Sequence, residues 1–140
     1  MNPNQDIVDR EFPYVTFDPL IDDLLTEIKA RNYRVTRVNH IDNIYDRHEA
    51  GIDVSIGFKR YKIVEFCNLN SCSGLISADL QAGVFMPVRY IAYQKLDDSI
   101  PHIAFLKPTA FAHLFSSEPL AEVAVKLEND MYHVLDELAL

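Results

Sequence analysis

Residues 61–72, YKIVEFCNLNSC, place one carboxylate and two thiols within a short run of otherwise mostly apolar and amide residues. The chemistry open to such a group is thiol attack, disulfide exchange or proton transfer. Tyr61 to Cys67 has the β-branched and aromatic content of a strand, and side chains alternate across a strand. Tyr61, Ile63, Glu65 and Cys67 therefore share one face, and Lys62, Val64 and Phe66 share the other. Because both faces are mostly apolar, Glu65 is expected near or within a packed layer. Burial is costly for a carboxylate unless it is paired, and groups held that way are candidates for function. The alternative reading is a structural carboxylate, satisfied by a backbone turn or by a neighbouring Arg or Lys.

Cys67 and Cys72 are separated by four residues, which is neither the CxxC of thioredoxin-like sites nor half of a zinc ribbon. Ser71 is placed to cap a short helix over Cys72 to Leu80, which would set Cys72 in its first turn. Unpaired N–H groups and the positive dipole end there favour a thiolate. An enzymatic reading then makes Cys72 the nucleophile, Cys67 the resolving thiol and Glu65 the proton-transfer group. The plain alternative is a pair of small buried hydrophobes. A disulfide needs Cα atoms within roughly 7 Å, which spacing alone leaves open.

A second conspicuous run is VFMPVRY, residues 84–90. It begins a strand expected over Val84 to Gln94, with a bulge or an edge at Pro87, because proline cannot donate to the ladder. Pro87 implies a kink there, and Met86 and Phe85 beside it suit the wall of an apolar pocket. Arg89 and Lys107 can supply positive charge to Glu65 or to an anionic ligand; otherwise Arg89 is a solvated strand residue and Lys107 a turn residue. The candidate catalytic residues are thus Cys67, Cys72 and Glu65. The candidate ligand-binding set is Glu65, Cys67, Asn68, Met86, Pro87, Arg89 and Lys107.

Other chemistries lack their residues. The five histidines show no HxH, HExxH or compact Cys/His spacing, so no metal and no cofactor is expected. Four glycines leave no phosphate-cradling loop, and no G-x-G-x-x-G, Walker A or G-x-S-x-G motif occurs. The balance of 13 basic against 21 acidic residues gives a net charge of −8. A duplex-binding face needs a clustered positive field, which argues against nucleic acid as a partner. MNPNQDIVDR lacks the basic start and apolar run of a secretory signal, and no stretch approaches a membrane span. These features point to a cytoplasmic protein with reduced thiols and no membrane partner.

The elements that must position these groups are read from periodicity. Residues 1–11 are polar and expected as a flexible arm, with one domain over 12–140. FPYVTF, residues 12–17, reads as a strand start. Asp18 as cap and Pro19 in the first turn begin a helix whose stripe is Leu20, Ile21, Leu24, Leu25 and Ile28, with Asn32 as its stop. Tyr33 to Ile41, Tyr61 to Cys67, Val84 to Gln94 and Pro101 to Leu106 read as strands, the last two as a hairpin. Residues 42–59 are ambiguous, with a short helix near 44–48 and a loop or weak strand over 52–58. Ser117 caps a final helix, where Leu120, Val123, Ala124, Leu127, Met131, Val134, Leu135 and Leu138 recur at threes and fours. The fold class is α+β: a mainly antiparallel sheet of about four to five strands, in β-α-β-β-β-β-α order, with two long helices on one face.

The run KIVEFCN at 62–68, the short helix after it, FMPVRY at 85–90 and KPTA at 107–110 together resemble the DUF302 family. There a strand ends in Cys-Asn-Pro, a helix follows, and a Leu-Pro-Cys-Asn-Val strand is paired by a hairpin. Here Leu69 follows Asn68 in place of proline, Val88 stands where the family's second cysteine would be, and Cys72 lies nearer the first. The resemblance spans about Phe12 to Ala110. It implies a compact domain similar to one half of a TATA-binding protein, a homodimer, and a link to sulfur metabolism that keeps a thiol role open. Three functions compete: a homodimeric module binding an unidentified small molecule near Glu65, Cys67, Asn68 and Pro87; a thiol redox or sulfur-transfer protein; and a structural or interaction protein.

Overall fold

The structure, a computed structural model, describes residues 1–44 and 56–139. The elements expected within 44–58 fall almost wholly outside them. Five strands, β1 (Ile7–Glu11), β2 (Arg34–His40), β3 (Arg60–Cys67), β4 (Val88–Gln94) and β5 (Pro101–Leu106), form one antiparallel sheet in the order β1-β5-β4-β3-β2. The helices are α1 (Pro3–Asp6), α2 (Phe17–Ala30), α3 (Leu69–Ala78), α4 (Pro108–Ala112) and α5 (Glu118–Leu138). The α+β class, the antiparallel sheet and the two long helices agree with the periodicity.

Alternation makes the sheet two-faced. Val64, Phe66, Val88, Tyr90, Ala92, Ile103 and Phe105 point into the core, where they meet Leu20, Leu24 and Ile28 of α2. From α5 come Leu120, Leu127, Met131 and Leu135, the three-and-four stripe of the sequence. The Ser117 hydroxyl accepts from Leu120 N, so the expected cap is in place. Tyr90 is fully buried, and its hydroxyl donates to the Met131 carbonyl at 3.0 Å, tying sheet to helix. Desolvation raises its pKa well above the ordinary phenol value.

Four local expectations are corrected. Ile7–Glu11, expected within a flexible arm, is an edge strand whose residues pair from Ile7↔Leu106 to Glu11↔His102. Main-chain bonds to β5 make this strand, and polar side chains do not report them. FPYVTF is a turn rather than a strand: Phe12 N donates to the Pro101 carbonyl, and Phe12 and Phe17 plug the core. The first long helix begins at Phe17, with Thr16 in the cap position, so Asp18 is in the first turn and is free to meet Arg60 at 2.6 Å. The fourth strand begins at Val88, because residues 80–85 coil as a 3-10 helix and Pro87 cannot join the ladder. Asn32 does stop α2 in the left-handed region, at φ 66°.

Candidate thiol site

Helix α3 starts at Leu69, not at Cys72. Asn68 caps it: its Oδ1 accepts from Asn70 N at 2.9 Å and from Ser71 N at 3.3 Å. Its Nδ2 donates to the Asn32 carbonyl at 3.0 Å, pinning the β3–α3 corner to the end of α2. A competent cap one turn earlier than Ser71 decides where the helix begins. Cys72 therefore lies in the second turn, and its N–H is already bonded to the Asn68 carbonyl at 2.8 Å. The free N–H groups expected to serve its thiol are absent.

That start also folds Cys72 back toward Cys67. Their Cα atoms are 6.4 Å apart and the sulfurs meet as a disulfide, at a Cα separation ordinary for such a bond. The pair is asymmetric. Cys72 is buried against the core at 7% exposure, whereas Cys67 is half-buried at the strand end. Cys67 lines a cleft of about 550 Å³ together with Asn32, Arg34, Thr36, Asn68 and Asn70. The β2–β3 register sets Arg34 directly opposite Cys67.

The other expected site residues are not brought into this cleft. Glu65 lies on the face of β3 opposite Val64 and Phe66, the side that the described helices do not pack against, with its side chain 17% exposed. It pairs across the ladder with Arg89, whose guanidinium is 3.9 Å away, and Asn39 Nδ2 lies at 3.5 Å. This is the placement of a cross-strand structural carboxylate. Arg89 instead borders two small pockets of about 190 and 200 Å³, one with Phe85 and Phe111, the other with Ile7 and Ile91. Met86 packs on the core, and Lys107 occupies the cap position of α4 with its N–H on the Asp6 carbonyl. Of the expected ligand-binding set, only Cys67 and Asn68 line the thiol cleft.

Two clusters escaped sequence reasoning. On the sheet face opposite the described helices, His102 Nδ1 lies 2.9 Å from Asp9 Oδ1, and Asp9 Oδ2 accepts from the Tyr93 hydroxyl. Tyr93 stacks on His102 at 4.7 Å and on Tyr61 at 6.1 Å. Burial, then the Asp9 hydrogen bond, raises the Tyr93 pKa. At the opposite edge, Asp42 receives Lys62 Nζ and Arg60 Nε, each at 3.1 Å. Burial pushes the Asp42 carboxyl up, but the Lys62 and Arg60 hydrogen bonds outweigh it and hold it below the usual aspartate value. Neither cluster has a local signal, since each joins residues from separate strands and turns. Among the described residues no three His, Cys, Asp or Glu side chains are grouped to hold a metal ion, and no helix is long and apolar enough to cross a membrane.

The arrangement is that of an α+β domain with a cysteine pair at one end of its sheet. The family model described as a domain of unknown function, DUF302, matches residues 8–138. The chain belongs to the DUF302 family. It is similar in structure to the uncharacterized conserved protein DUF302 from Bacillus stearothermophilus, with a TM-score of 0.79 and 21% sequence identity, over 94% of this chain and 97% of that one. At this identity the likeness speaks for the fold. No curated protein matches the chain.

Proposed function

We propose that this protein is a thiol–disulfide exchange module. The observation that carries the reading is the meeting of Cys67 with Cys72 at the wall of an open cleft, with Cys67 lining the cleft and Cys72 buried toward the core. The asymmetry reverses the roles expected from sequence. Cys67 takes the incoming group, and Cys72 is the resolving, buried thiol. Arg34 opposite Cys67 supports a thiolate there once the pair is reduced, and the Asn68 carbonyl, 3.7 Å from Cys67 Sγ, can accept its S–H.

The exchange balances as follows. A low-molecular-weight thiolate attacks Cys67 Sγ, the Cys67–Cys72 bond breaks, and Cys72 leaves as a thiolate that takes a proton from water. A second thiol attacks the mixed disulfide, releasing the small-molecule disulfide and the Cys67 thiol. Two thiols are oxidised and one protein disulfide is reduced; the reverse course oxidises the protein. In the cytoplasm that the sequence leads one to expect, such a pair cycles rather than persists. This reading stands ahead of passive ligand binding because the cleft presents a sulfur as well as polar groups.

The test is exchange with a thiol buffer, followed by mass shift after alkylation. The wild type should add two alkyl groups after reduction and none after oxidation, and Cys72→Ser should trap a mixed disulfide on Cys67. Two alkylated cysteines under every oxidising condition tried would sink the proposal.

The homodimer expected from the family resemblance completes this reading. The sheet face opposite the described helices carries an acidic edge, Asp9 and Glu11 on β1, with Arg37 on β2 at the far side. Two copies laid face to face about an axis parallel to the strands bring each acidic edge over the partner's arginine, a self-complementary contact. Sedimentation equilibrium should give twice the 16.0 kDa chain mass, and Arg37→Glu should shift the equilibrium to monomer at low salt. A wild-type chain that stays monomeric at high concentration removes the dimer.

A further inference from the structure

Resting on the exchange reading, we infer that the thiol which enters the cleft is a small molecule carrying a negative charge, such as a carboxylate, near its sulfur. The charge distribution argues for it. The chain carries 21 acidic residues and a net charge of −8, yet no Asp or Glu lines the cleft. Its one charged lining residue is Arg34, which is exposed and forms no ion pair with a described residue. Of the other described arginines and lysines of the sheet, Arg10 pairs with Asp136, Arg60 with Asp18 and Asp42, Lys62 with Asp42, and Arg89 with Glu65, while Arg37 forms no ion pair with a described residue and lies outside the cleft.

The register adds position to charge. Arg34 and Cys67 are cross-strand partners, so their Cβ atoms are roughly 5 Å apart and both side chains leave the same face. A guanidinium started there reaches an anionic group a few bonds from a sulfur docked on Cys67. It offers planar paired donors, the geometry that a carboxylate accepts best. Asn32, Thr36 and Asn70 supply neutral hydrogen-bonding groups around it. A cationic thiol would meet the same guanidinium with repulsion.

Stopped-flow reduction of the oxidised protein tests this with three probes at matched thiolate concentration: 3-mercaptopropionate, 2-mercaptoethanol and cysteamine. Each rate is referred to that of the neutral thiol in the same variant. In the wild type at low ionic strength the anionic probe should exceed the cationic one about fivefold, as expected for a single close charge near a surface. Arg34→Gln should bring the ratio near one and Arg34→Glu should invert it, with added salt erasing the difference. A wild-type ratio near one, or a ratio unmoved by Arg34→Glu, overturns the selectivity while leaving exchange itself intact. Failure of all three thiols to reduce the pair overturns the exchange reading first, and the selectivity with it.

Discussion

Phe66→Ala will destabilise the protein by about 3–5 kcal/mol, the range for removing a fully buried aromatic side chain. Phe66 is 2% exposed and sits where the sheet meets the helices. Its ring stacks on Tyr90 at 5.0 Å and takes Tyr33 edge-on at 5.5 Å. Tyr90 in turn meets Phe105 edge-on at 5.6 Å. Truncation therefore opens a cavity inside a connected aromatic lattice, and rings held by their own hydrogen bonds cannot collapse into it: Tyr33 donates to Asp130 at 2.6 Å, and Tyr90 donates to Met131. Against a typical total of about 5–15 kcal/mol, this is a large fraction. Thermal unfolding should shift down by roughly 10 °C for a chain of this size. Because Phe66 adjoins Cys67, the loss should also loosen the strand end that presents the sulfur, so disulfide formation should slow in the variant even at temperatures where it is folded. Urea midpoints together with the alkylation assay measure both, and a destabilisation below about 1 kcal/mol would show that the site had repacked.

Asp42→Ala should cost about 2–3 kcal/mol at neutral pH. The Asp42 side chain is 8% exposed and holds two cations, of which Lys62 is itself only 12% exposed. Removing the carboxylate leaves the largely enclosed Lys62 without its counter-charge, the costly way to break such a pair. The figure stays at the low end because Arg60 keeps Asp18 and reaches water. The same group sets an acid limit. Its pKa is lowered in the folded state, since the Lys62 and Arg60 hydrogen bonds outweigh the desolvation that raises it. A depressed carboxyl contributes its stability above the unfolded value of about 3.9 and loses it as pH falls through the folded value. The wild-type advantage over Asp42→Ala should therefore be constant from neutral pH to about 5 and shrink below about 4. Urea midpoints across that range check it; a difference that persists undiminished at pH 2.5 would assign the loss to packing instead.

What sequence alone determined is the set of elements whose evidence lies within their own residues. The 3.6-residue stripe over Leu20 to Ile28 and Leu120 to Leu135, the Ser117 cap and the Asn32 stop are local chemistry, and they appear as read. Strands β3 and β5 were legible for the same reason, and with them the α+β class. Tertiary structure alone decided the rest, because sheet pairing is main-chain bonding between segments far apart in sequence. β1 exists only through β5, and its polar side chains gave no sign of it. The apolar residues on both faces of β3 could not say which face the long helices would cover, and Glu65 lies on the side opposite them. Asn68 and Ser71 are both able caps; the bond from Asn68 to the end of α2 accompanies the choice that brings Cys72 to Cys67. Arg34, opposite that sulfur, became visible only when the β2–β3 register was known.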